Sequence, residues 1–145
     1  DRDIDLVQEK NILNLIEEQL KVVTLKKPTP AQWESLKFGW KVIKNVKSNA
    51  IVLVKGQKTV GIGCGMTSRV DSVKVSIGKA GRHAKNAVLA SEAFFPMTDN
   101  ILFAAKAGIQ AIIQPGGSIA DAEVIAAANK AKIAMVFTGV RHFKH

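Results

Sequence analysis

Residues 109–137 read IQAIIQPGGSIADAEVIAAANKAKIAMVF, and this stretch decides the fold class. Ile109 to Ile113 is a short apolar run rich in β-branched residues, which predicts a buried strand. Gln114-Pro115-Gly116-Gly117 breaks the run, and Ser118, with Asp121 three residues on, predicts the cap of a helix. Ile133 to Phe137 is a second buried strand. Strand, helix, strand in that order predicts a right-handed crossover between parallel neighbours. The same unit stands upstream. Ala87 to Ala90 is a strand, a loop runs through Pro96, and a helix spans about Asp99 to Ala107 with Gly108 as its stop.

Towards the N-terminus the pattern changes. Ala50 to Lys55 and Thr59 to Ile62 are strand-like runs joined by Gly56-Gln57-Lys58, which predicts a hairpin. Ser68-Arg69-Val70-Asp71 opens a helix that ends near Gly81. Thr29-Pro30, with Gln32, is a capping box with proline at the first helical position. The stripe Trp33, Leu36, Trp40, Ile43 and Val46 predicts a helix from there to about Lys47, with the tryptophans as core anchors rather than ligand contacts. Val22 to Leu25 fits a short strand. Residues 1–27 read as an N-terminal edge or a connector from a preceding subdomain, and 28–145 as the domain proper. The sum is an α/β fold with a mixed sheet and helices on both faces, three layers in the order α/β/α.

Composition narrows the function. The chain has 145 residues, 47% of them apolar, enough for one packed core. Its start at Asp1 rather than Met suggests a piece of a longer protein. The net charge of +9 attracts polyanions. Yet the basic residues are spread along the chain and no basic run is interleaved with aromatics, so neither nucleic acid nor a membrane surface is the expected partner. Much of the charge suits a solvated surface equally well. The single cysteine, Cys64, excludes an internal disulfide and any site needing two thiolates, and fits a reducing cytoplasm. No apolar run approaches the ~20 residues of a membrane span. His83, His142 and His145 lack metal-ligand spacing, and a zinc deaminase's Pro-Cys-x-x-Cys is missing. No Gly-x-Ser-x-Gly elbow is present.

In open α/β sheets, ligands bind beyond the carboxyl ends of the strands, and four segments there carry unusual residues. Gly61-Ile62-Gly63-Cys64-Gly65, before a helix start, suits either anion binding or a tight turn. Phe94-Phe95-Pro96, running to Asp99-Asn100, offers an aromatic face and a carboxylate to a planar heterocycle; the plain alternative is a first-turn Asp that favours the helix. Gln114 to Ser118 is either an anion nest or a cap. Arg141-His142-Phe143-Lys144-His145 is either a phosphate-binding edge or a basic tail.

Six ordered strings add to this: Lys47-Ser48-Asn49-Ala50-Ile51-Val52, Gly61-Ile62-Gly63 through Ser68-Arg69-Val70, Ala90-Ser91-Glu92-Ala93-Phe94-Phe95-Pro96, Ile113-Gln114-Pro115-Gly116-Gly117-Ser118-Ile119, Val124-Ile125-Ala126-Ala127-Ala128, and Phe137-Thr138 through Arg141 to His145. Together they closely resemble the C-terminal part of the bifunctional purine-biosynthesis family that joins a formyltransferase to IMP cyclohydrolase. The resemblance covers 28–145, and Asp1-Arg2-Asp3 also looks like a family element. It implies a cytidine deaminase-like subdomain without zinc, the second of two in the transferase. It implies transfer of a formyl group from 10-formyltetrahydrofolate to aminoimidazole carboxamide ribonucleotide (AICAR), a monovalent cation as an optional cofactor, and a homodimer with sites shared between subunits. By motif, Asn49, Arg69, Arg141 and Phe143 would hold the nucleotide, Arg69 as a candidate for its phosphate or carboxamide and Arg141 for its phosphate. Phe94, Asp99 and Asn100 would line the folate pocket, with Asp99 on the pterin N–H groups. Asn49 and Asn100 would support catalysis. Met97-Thr98 stands where the family often has a bulkier Phe-Arg pair. The family's Lys-His pair, in an Asn-Pro-Cys string, is absent, so the chain alone is expected to be inactive. Two other readings remain: a non-catalytic nucleotide-binding module, and a nucleic-acid binder driven by charge alone.

Overall fold

A computed structural model describes residues 19–139. Six strands form one sheet: β1 (Lys21–Val22), β2 (Ile51–Lys55), β3 (Lys58–Gly63), β4 (Val88–Ser91), β5 (Ala111–Gln114) and β6 (Ala134–Phe137), in the spatial order β1-β6-β5-β4-β2-β3. The pairs β4–β5 and β5–β6 are parallel; β1–β6, β2–β4 and β2–β3 are antiparallel. Among the described residues four α-helices cover it: α1 (Pro30–Ile43), α2 (Arg69–Ala80), α3 (Asp99–Ala107) and α4 (Asp121–Lys130). The mixed-sheet α/β fold with helices on both faces is therefore present.

The period of two in the strands sorts the core onto the two faces. Ile51, Leu53, Leu89, Ile112 and Met135 point to one side, where Val73 of α2, Ile101 and Ala104 of α3, and Val124 and Ala128 of α4 meet them. Val52, Val54, Val88, Ala90, Ile113, Ala134 and Val136 point to the other, where Leu36, Trp40 and Ile43 of α1 close the layer. The central strands are buried on both faces, which is why they read as near-continuous apolar runs.

Local signals placed most element boundaries. Thr29 accepts from the Gln32 amide at 3.1 Å, and Gln32 Oε1 accepts from the Thr29 amide at 3.0 Å, closing the capping box. Ser68 accepts from the Asp71 amide at 3.2 Å and starts α2. Gly108, at φ +87°, ends α3. Three expectations shift. Helix α1 stops at Ile43, not near Lys47, because Asn45 and Val46 donate to the carbonyls three residues back and tighten the chain into a turn. The N-terminal strand is Lys21–Val22 rather than Val22–Leu25. Thr24 turns its side chain into the ladder: its Oγ1 accepts the Met135 amide at 2.8 Å and donates to the Lys26 carbonyl. Ser118 does not cap α4, which begins at Asp121. Ser118 Oγ accepts the Ala120 amide instead, a local turn that delays the helix.

Candidate functional site

Register brings the unusual loops to one edge of the sheet. Ile51 lies opposite both Gly63 and Ser91, Ala90 opposite Ile113, and Ile113 opposite Val136. The segment before β2, the turn after β3 and the loops after β4, β5 and β6 thus share the carboxyl edge of the parallel strands, where ligands of such sheets bind.

At this edge Asn49 and Arg69 meet. Arg69 Nη2 donates to Asn49 Oδ1 at 2.9 Å, and Asn49 Nδ2 donates to the Met66 carbonyl at 2.9 Å. Arg69 Nη1 donates to the Ala50 carbonyl at 2.9 Å and to Glu92 Oε2, forming an ion pair. Glu92 Oε1 accepts the Ala50 amide at 3.0 Å. Ser72, one turn into α2, donates its hydroxyl to the Asn49 carbonyl. Glu92 is fully buried and Arg69 is 7% exposed. Reasoning from sequence passed over Glu92. The signal available was a lone carboxylate inside the otherwise uncharged run from Val88 to Phe95.

The second group surrounds the start of α3. Phe95 is fully buried and Phe94 half-buried, so the two adjacent rings take different environments. Asp99 is half-buried, and its Oδ1 accepts from both the backbone amide of Asn100 (2.8 Å) and its side-chain Nδ2 (3.1 Å). Asn100 is 1% exposed, and its Oδ1 is buried with no hydrogen-bond partner. Native structures rarely leave such an acceptor unfilled. Ser48 Oγ is in the same condition at the other group. A groove of about 650 Å³ runs from Asp99 along α3, lined by Leu102, Phe103, Ala105 and Lys106. Lys74 Nζ sits 4.7 Å from the centre of the Phe103 ring.

Two glycine-rich stretches have other duties. Gly61 and Gly63 lie within β3, where a Cβ would run into the carbonyl oxygens of Ser76 and Ser72. They let α2 press against the strand; they form neither the anion loop nor the tight turn expected. In the loop after β5, Asp121 accepts from the Gly117 and Ser118 amides at 2.8 and 3.1 Å. Those two nest donors are filled by the chain's own carboxylate. Arg141, Phe143 and the tail histidines lie outside the described residues. Among the described residues no group of three His, Cys, Asp or Glu could hold a metal ion, and no helix is long and apolar enough to cross a membrane.

Among curated proteins, the bifunctional purine biosynthesis protein PurH of Halalkalibacterium halodurans is 57% identical over 97% of this chain. That of Anoxybacillus flavithermus is 56% identical over the same share. In both cases the chain spans 27% of the relative's length. Among solved structures, Acinetobacter baumannii RibD, form 2, is similar over 74% of this chain and 34% of its own, at 13% identity and a TM-score of 0.47. The model of the AICARFT/IMPCHase bienzyme matches residues 2–79, more than half of the sequence, and the chain belongs to that family.

Proposed function

We propose that this chain is the second half of a transferase that moves a formyl group from 10-formyltetrahydrofolate to AICAR, in a protein that also carries IMP cyclohydrolase. The observation that carries the reading is the shared sheet edge. It sets an amide already oriented by a buried ion pair (Asn49) on the same rim as a carboxylate and an unfilled amide acceptor (Asp99, Asn100). In the reaction, the 5-amino nitrogen bonds to the formyl carbon, the bond from that carbon to N10 of the folate breaks, and the proton lost by the amine ends on N10. Asn49 keeps one N–H and one lone pair beyond its bonds to Arg69 and Met66. It can therefore orient the amine or the formyl oxygen. Asp99 would accept from pterin N–H groups, Asn100 Oδ1 would take a ligand donor, and Phe94 would offer a ring face. Arg69 has Nη1 committed to Glu92 and Ala50, so its part at the nucleotide is to hold Asn49 rather than to grip phosphate. That task falls to Arg141.

A monovalent cation is compatible with the same edge: such an ion takes oxygen donors, and Ser48 Oγ is a buried oxygen without a partner. The homodimer belongs to this reading too. It is supported by Met97 and Leu102, large apolar side chains 62% and 63% exposed beside Asp99. A lone exposed thiol suits a cytoplasmic setting. Proton transfer from the amine needs a positioned base. In this reading the Lys-His pair comes from the remainder of the parent protein.

The test compares formyl transfer by this chain alone with transfer by the full-length protein. The expected result is turnover only in the latter. Efficient turnover by the chain alone would show that the base is not supplied from outside it.

A further inference from the structure

We infer that Glu92 is a positioning residue for formyl transfer, acting through Arg69 and Ala50 on the Asn49 amide. The inference rests on the reading of Asn49 given above. Glu92 follows β4, and its carboxylate is fully buried. A buried carboxylate is costly to keep ionised unless each oxygen is satisfied. Here each oxygen has a partner, and the two partners hold the segment at Asn49 from both sides: Oε1 takes the amide of Ala50, the next residue in the chain, and Oε2 takes the guanidinium that donates to Asn49 Oδ1.

The arrangement is directional. Arg69 Nη1 also reaches the Ala50 carbonyl, so one guanidinium nitrogen bridges the backbone of Ala50 and the Glu92 carboxylate while the other holds the Asn49 side chain. With Met66 accepting from Asn49 Nδ2, the amide plane has a bond on each side and cannot flip without breaking one. Ser72 restrains the Asn49 carbonyl. Remove the negative charge from Glu92, and the guanidinium loses the partner that draws it inward. It is then free to swing, and Asn49 Oδ1 loses its donor. The carboxylate itself is sealed from solvent, so it touches no substrate.

The experiment is a double-mutant cycle in the full-length protein, with formyl transfer and cyclohydrolase activity measured on the same samples. Glu92→Gln keeps the shape and removes the charge. It should lower kcat for formyl transfer by about 10- to 100-fold, the scale of an ångström-level misplacement, with cyclohydrolase unchanged. Glu92→Asp, which restores the charge on a shorter arm, should recover part of the loss. In an Asn49→Ala background, Glu92→Gln should cost less than about twofold more, since the residue it positions is gone. Losses that multiply across the cycle, or a Glu92→Gln enzyme with normal kcat, overturn the inference while leaving the role of Asn49 standing. If Asn49→Ala alone leaves kcat intact, the reading of the site fails, and the inference with it. If Glu92→Gln does not fold, the Glu92→Asp arm of the same cycle decides by the same criterion.

Discussion

The two polar groups on the carboxyl edge of the sheet are built on different principles. Around Asn49, Arg69 and Glu92 the charges of Arg69 and Glu92 are buried and paired with each other, and most of the polar atoms bond within the group, Ser48 Oγ excepted. At the start of α3, Asn100 keeps a buried acceptor unfilled, Asp99 is half-exposed, and Met97 stands largely in solvent. The first group spends its hydrogen-bonding capacity on holding one amide in place. The second holds capacity in reserve. A closed network suits positioning and an open one suits ligand capture, so substitutions in the two should have unequal effects on stability.

The largest effect is expected at the closed group. Glu92→Ala strands the Arg69 guanidinium in the interior, and breaking one side of a buried pair costs about 3–5 kcal/mol. Urea denaturation of the chain would measure it, and a loss below about 1 kcal/mol would show that the network is not closed as described. Gly63→Ala comes next. Its Cβ would collide with the carbonyl of Ser72, whose hydroxyl restrains Asn49, so α2 must shift. Overpacking of this kind costs about 1–3 kcal/mol, read by the same denaturation, and formyl transfer by the full-length protein should fall with it.

The open group should respond far less. Asn100→Leu replaces an amide whose acceptor has no partner with an apolar side chain of similar size. Removing the unsatisfied acceptor offsets the loss of the Nδ2 bonds to Asp99 and the Met97 carbonyl, so stability should change by less than about 1 kcal/mol, while folate binding to the full-length protein, followed by titration calorimetry, should weaken. Destabilisation together with unchanged folate affinity would erase the contrast.

Lys44, the residue that follows α1, serves as a reference. Burial and, secondarily, Lys41 lower its pKa, so its charged form is disfavoured in the fold. That penalty is fully present at neutral pH and fades as the pH rises through the lowered value towards the ordinary 10.5. Lys44→Met should therefore stabilise slightly at pH 7, within about 0.5 kcal/mol, with a smaller gain at alkaline pH. Thermal melts at two pH values would check the trend.

Much of the fold was legible because its signals are local. The Thr29-Pro30-Gln32 box, the Ser68 cap and the Gly108 stop each act within a few residues. What escaped depends on distant partners. Gly61 and Gly63 resemble a loop in sequence, and only the approach of α2 explains them. Thr24 ends a strand early because its hydroxyl oxygen accepts the amide of Met135, 111 residues away. The site divides likewise. Asn49, Arg69, Asp99 and Asn100 were found through ordered strings that resemble a family. Glu92 went unread because its meaning arises from a strand pairing that sets Ile51 beside Ser91.

The most direct test of the account is a crystal structure of the full-length protein with AICAR and an unreactive folate analogue bound together. The account predicts both ligands along this one sheet edge, the nucleotide or its formyl partner within hydrogen-bond distance of the Asn49 amide and the pterin against Asp99. Ligands seated elsewhere, with neither residue touching either of them, would contradict it.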